Sequence, residues 1–208
     1  MKSALCALAL LAASMPAATH AQDDLLSRMS AVNQNLHSYT ATMKAHIAMT
    51  SFPYISTDVN GTYYHKDPDH DKLDITSGLP GMAQQFSQLY PKLVPPAHWN
   101  DVYTVTKVSD DGNTTQFKLV PRKAGNVDHV DATVDDKRAV VTTMTWTYAN
   151  GGTAQMTNTY GSVKGYTLVT SQTGHVDEPQ YKGTISSTLS DYKINPDIPD
   201  TVFAQTTQ

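Results

Sequence analysis

The chain has 208 residues, 39% of them hydrophobic and 16% charged, with 15 Lys plus Arg against 19 Asp plus Glu for a formal net charge of −4. That length suits one domain with a substantial core, and the acidic balance excludes a polyanion such as nucleic acid as the expected partner. A single cysteine, Cys6, excludes a disulfide framework.

The chain opens on Lys2, an apolar run over residues 4–13 and a small-residue site at Thr19, His20 and Ala21. That order is the charge, apolar core and A-x-A-like site of an export signal, so residues 1–21 are expected to be cleaved and the mature protein to work in the periplasm as a monomer. The apolar core spans about ten residues, roughly half of what a membrane-crossing helix needs. Residues 22–208 then form a single domain that has lost both Lys2 and Cys6.

Asp23 and Asp24 can cap a helix whose stripe is Leu25, Met29, Val32 and Leu36. From Ser38 the hydrophobic period drops to two, with Tyr39, Ala41, Met43, Ala45, Ile47 and Met49 alternating with polar residues. Similar runs at 59–65, 72–76, 101–108, 115–120, 127–134, 139–148, 153–160, 166–171 and 181–192 predict about ten strands. Turn chemistry at Asp110-Asp111-Gly112-Asn113, Asp135-Asp136-Lys137, Asn150-Gly151-Gly152 and Val163-Lys164-Gly165 joins neighbours closely, which predicts a mainly β (α+β) chain folded as an antiparallel meander. One segment breaks the pattern. Between Gly78 and Asn100, Leu79, Met82, Phe86 and Leu89 stand at helical spacing ahead of Pro91, Pro95, Pro96 and Trp99. They predict a short helix lying across an open face of the sheet.

A sheet of this many strands twists and curls. Met43, Met49, Met144, Trp146, Tyr148 and Met156 fall on alternating strand positions, which reads either as a filled core or as a soft lining that re-packs around ligands of varied shape.

Catalytic patterns are wanting. There is no G-x-S-x-G elbow, no H-E-x-x-H and no phosphate-cradling glycine loop. His65 and His70 with Asp67, Asp69 and Asp71 form the densest polar cluster, and a metal-assisted enzyme at that loop is one alternative. Pro68 and its polar neighbours are nevertheless the composition of a hairpin tip, and the expectation is a non-enzyme with no metal and no cofactor. His129 and Asp131, two apart on a strand, read as a surface pair.

Export signal, amphipathic helix, long strand, meander, covering helix and a Pro-rich tail follow one another in an order that resembles the LolA family of periplasmic lipoprotein carriers. The resemblance rests most closely on Thr115-Gln116-Phe117-Lys118-Leu119-Val120-Pro121-Arg122, which is similar to the family's F-x-L-x-P-K/R strand, on the strand through Met144 and Trp146, and on Tyr192-Lys193-Ile194-Asn195-Pro196 with Val202-Phe203 near the end. The arginine that controls cargo release in the carrier has no counterpart here. The resemblance implies a strongly curved half-barrel with an N-terminal helix and a covering helix over its concave face. The implied ligand is an acyl chain of a lipid or lipoprotein, and transient inner- and outer-membrane donor and acceptor proteins are the implied partners. In that fold the candidate ligand-binding residues are Met43, Ile47, Leu79, Met82, Phe86, Leu89, Met144, Trp146 and Met156. A lipid-sensing module of the same fold is the other binding alternative.

Overall fold

The computed structural model describes residues 18–52, 54–68, 70–78 and 94–204. Helix α1 (Ala18–Ala31) is followed by strands β1 (Ser38–Met49), β2 (Ser56–Lys66) and β3 (His70–Ser77). A short helix α2 (Trp99–Val102) leads into β4 (Tyr103–Asp110), β5 (Thr114–Pro121), β6 (Val127–Asp135), β7 (Val140–Tyr148), β8 (Thr153–Val163), β9 (Tyr166–Asp177) and β10 (Lys182–Ile194). The predicted helix carrying Leu79, Met82, Phe86 and Leu89 lies outside the described residues.

All ten strands join one curved antiparallel sheet in the order β3-β2-β1-β10-β9-β8-β7-β6-β5-β4. Only β1 and β10 are neighbours out of sequence, because the first strand slots in beside the last. β3 and β4 end the order without pairing to each other, so the sheet stays an open half-barrel. Runs such as Val-Val-Thr-Thr-Met-Thr-Trp-Thr-Tyr in β7 explain the strands, since β-branched and aromatic side chains suit a pleated surface with one face buried.

Helix α1 begins at Ala18, earlier than the Asp23–Asp24 cap predicts, and stops at Ala31, so Leu36 is buried from the connection beyond it. Asn33 explains the stop. Its φ of 63° leaves helical space, and its side chain pairs in both directions with the backbone of Thr167, accepting at 2.9 Å and donating at 2.8 Å. The helix end is thereby pinned to the β8–β9 hairpin, whose central Lys164 and Gly165 both have the positive φ that tight hairpins need.

The larger core gathers Leu25, Leu26 and Met29 of α1 with Phe117, Leu119, Val130, Val134, Met144, Trp146 and Met156 of the sheet. Trp99 is fully buried there, donating through Nε1 to the Val94 carbonyl at 3.0 Å and meeting Phe117 edge to face. A second, smaller cluster on β1 and β2 holds Met43, Ala45 and Val59, with Ile47, Ile75 and Ile185 packed against it.

Candidate ligand-binding face

Alternation along each strand and the registers between strands assemble one inner face. One row across it reads Ala132, Met144, Met156, Gly174, Ile185, Ile47 and Thr57, each residue directly opposite the next. The neighbouring row places Ala45 between Ser187 and Val59, and the next one Met43 between Leu189 and Gly61. The five predicted residues on described strands, Met43, Ile47, Met144, Trp146 and Met156, therefore share this face. They divide between the two clusters: Met144, Trp146 and Met156 are buried in the cluster that includes α1, while Met43 and Ile47 belong to the one without helix residues. Leu79, Met82, Phe86 and Leu89 lie outside the described residues.

What separates the clusters is a seam of small and polar residues. At Gly174 an added Cβ would stand 2.6 Å from the Ile185 Cγ2, so a side chain there collides across the curve of the sheet. Beside it Gln172 donates through Nε2 to Met156 Sδ and to Asn158 Oδ1, both at 2.9 Å, and Ser187 donates to the Gln172 carbonyl at 3.4 Å. Apolar packing is interrupted along this line, and a chain crossing the face would meet amide groups there.

The far end of the same face is aromatic and charged. Tyr39 stacks on His65 with ring centroids 4.9 Å apart and lies within 6 Å of the rings of Tyr63 and Tyr192. Tyr63 donates to Asp71 Oδ1 at 2.6 Å, and His65 Nδ1 approaches the same oxygen at 2.8 Å. On its other side His65 Nε2 is 3.6 Å from Asp67, which also contacts His37 at 3.2 Å. Burial of His65 favours its neutral ring, but the hydrogen bond and charge of Asp71, reinforced by Asp67, outweigh it and raise the pKa above the usual 6.5. Burial likewise opposes ionisation of Asp71, yet the hydrogen bonds from His65 and Tyr63 win and hold its carboxyl below the usual 3.8. Tyr39 and Tyr63 are pushed up, by burial first and then by neighbouring charge. Burial takes Tyr192 up to about 12. These tyrosines stay protonated and act as hydrogen-bond donors and ring surfaces.

The hairpin tip lies where it was expected, and the predicted strand over 59–65 carries two residues of this end. Asp67 and Pro68 make the turn, and Tyr63 and His65 stand on β2 with the parity of Val59 and Gly61, opposite Ala41 and Tyr39. The signal was present: counting by twos from Val59 reaches both residues. No three His, Cys, Asp or Glu side chains converge as metal ligands among the described residues. His129 sits between Asp128 at 2.7 Å and Asp131 at 3.3 Å, a surface arrangement as its strand position suggests.

A cavity of about 540 Å³ opens on the opposite, outer face, lined by Lys44, His46, Asp58, Asn60, Ser171 and Ser186 among others. It is a shallow trough in which His46 already pairs with Asp58 at 2.7 Å. None of the predicted residues lines it.

No family model matches the chain, and no curated protein matches it in sequence. Solved structures do match in fold. A domain described as an outer membrane lipoprotein-sorting protein, from Vibrio parahaemolyticus, superposes with a TM-score of 0.62 at 10% identity, over 87% of this chain and 95% of that one. A LolA superfamily protein from Nitrosomonas europaea gives 0.53 at 11% identity over 88% and 97%. The fold is LolA-like. A DUF1329 family protein from Desulfovibrio piger shares it, with a TM-score of 0.57 at 12% identity over 88% and 96%. The LolA-like half-barrel is thus filled at its β4–β8 side by α1 and carries a distinct apolar patch on β1, β2, β3 and β10.

Proposed function

We propose that this protein is a non-catalytic periplasmic carrier that holds acyl chains of lipids or lipoproteins on the inner face of its LolA-like sheet and moves them between membranes. The observation that carries the reading is the second apolar cluster. Met43, Ala45, Ile47, Val59, Ile75 and Ile185 form a continuous patch that includes no residue of α1 or α2. The stripe of Leu79, Met82, Phe86 and Leu89 is proposed as its cover, and Met144, Trp146 and Met156 as the wall on which the patch abuts. Each methylene removed from water contributes about 0.8 kcal/mol, so burying about ten of them supplies about 8 kcal/mol, the scale of micromolar and therefore reversible carriage, without a reactive group. The polar end of the face supports a binding role as well, since Tyr63 and His65 both satisfy Asp71 and neither stands ready as a nucleophile.

Export, cleavage after Ala21 and one domain over residues 22–208 belong to the same proposal, as do transient donor and acceptor partners at the two membranes. Mass spectrometry of the gently isolated protein tests it in one measurement. The intact mass is expected to correspond to a chain starting at Gln22, and native spectra to show acyl lipid released on organic extraction. A protein that emerges lipid-free and fails to take up a fluorescent fatty acid would overturn the carrier reading.

A further inference from the structure

The loop between β1 and β2 presents two large apolar side chains to solvent, with Phe52 79% and Tyr54 72% exposed. Every other exposed large hydrophobic among the described residues is less so. The described backbone on both sides of Pro53 is hydrogen-bonded all the same. Met49 N–H donates to the Ile55 carbonyl at 2.7 Å, Tyr54 N–H to the Ser51 carbonyl at 2.8 Å, and Thr50 N–H to the Lys182 carbonyl at 2.8 Å. Lys182 N–H returns a bond to Ser51 Oγ at 2.7 Å, tying the loop to the start of β10. Backbone groups paired in this way can leave water at small cost, whereas unpaired ones cannot.

The meander places this loop on a rim with the β5–β6, β7–β8 and β9–β10 connections, while the remaining hairpins emerge at the other rim. The two rims differ in charge. The far rim carries Asp67, Asp110, Asp111, Asp135 and Asp136 against Lys66, Lys137, Arg138 and Lys164. Along the near rim, residues 49–55 and 149–152 hold no Asp, Glu, Lys or Arg, the β5–β6 connection adds Arg122 and Lys123 and the β9–β10 connection Glu178, and Lys182 is paired with Asp177 at 2.6 Å. The near rim thus has a small excess of cations and the far rim a small excess of Asp, so an anionic surface favours the near one.

We infer that the Phe52–Tyr54 loop is a membrane-docking element whose partner is the headgroup and upper acyl layer of a phospholipid bilayer. Phe and Tyr suit that layer, where one end of the side chain is apolar and the other wet. Two aromatic side chains offer about 300–500 Å² of contact, short of the roughly 800 Å² per partner that a stable protein complex buries. The size of the patch thus favours a bilayer, into which a small protrusion sinks by about 5–10 Å. Docking at this rim also brings β1 and β10, the strands bearing Met43, Ile47 and Ile185, end-on to the lipid. The inference stands apart from the acyl-carrier reading, because a protein can dock on lipid without carrying it.

The test is flotation of the processed protein with vesicles of phosphatidylethanolamine containing a minor share of phosphatidylglycerol. A Phe52→Ser, Tyr54→Ser double variant is compared with the parent. The parent is expected to float, and the variant to lose about tenfold or more of its vesicle affinity with thermal melting and fluorescent fatty-acid binding unchanged. Because Cys6 is the only cysteine, an environment-sensitive label can be placed at Phe52→Cys, with Lys137→Cys on the far rim as control. Vesicles should enhance emission at the first site only. Equal flotation of parent and variant, enhancement at both sites, or a parent that stays unbound would each overturn the docking site, the last in favour of a protein partner. Fatty-acid binding is read separately, so failure of the carrier reading would show in that assay alone.

Discussion

Asp71 is the hub of the polar end of the inner face, since one of its oxygens serves both Tyr63 and His65. Its side chain is still 47% exposed, against 23% for His65, so water shares the load and the pair is nearer a surface bridge than a buried one. Asp71→Asn is accordingly expected to cost about 1 kcal/mol. The pH dependence follows from the two shifts. The raised His65 pKa contributes stability that is fully present below 6.5 and lost as pH rises through the folded value. The lowered Asp71 pKa contributes stability present above 3.8 and lost as pH falls through its folded value. The advantage of the parent over Asp71→Asn should peak between those two limits and shrink at alkaline pH, where His65 is neutral and only the hydrogen bonds to the carboxylate remain. Urea unfolding of both proteins across that range checks it, and an advantage that grows with alkalinity would contradict the assignment.

At the scale of elements, the curve of the sheet depends on what the inner face leaves out. Gly174 sits between Met156 and Ile185 in the cross-strand row, and a methyl group there would press on Ile185 at 2.6 Å. Gly174→Ala should destabilise the protein by about 1–3 kcal/mol, the usual cost of overpacking. A rise in melting temperature would instead mean that the sheet has room to flatten. The strands themselves were legible: all ten alternating runs became strands, and the turns at Gly112, Gly151 and Gly165 have the positive φ that their sequences suggest. Helix limits were less so, because local spacing does not reveal that Asn33 is captured by Thr167 of a hairpin 134 residues away. The seam of Gly174, Gln172 and Asn158 was equally hidden. Period-two patterning identifies which residues share a face, but only the register between strands shows that these three stand side by side.

At the scale of the whole molecule, the five predicted residues on described strands occupy one face and two different environments, which a single kind of substitution can tell apart. Met144 is 5% exposed and lies opposite Ala132 and Met156 in the cluster with α1. An arginine there has no partner and no short route to water, so Met144→Arg should cost several kcal/mol and collapse the cooperative melt. Ile47 is only partly buried, near the rim end of β1 and outside the helix-bearing cluster. Its replacement by arginine leaves a long side chain able to reach solvent along the strand. Ile47→Arg should therefore fold, with a loss of about 1 kcal/mol or less, while the cation it places on the proposed acyl patch weakens fatty-acid uptake. Circular dichroism melts and a fluorescent fatty-acid titration on the two variants separate the outcomes. An Ile47→Arg protein that folds and binds as well as the parent would remove the β1–β2 patch from the proposed site.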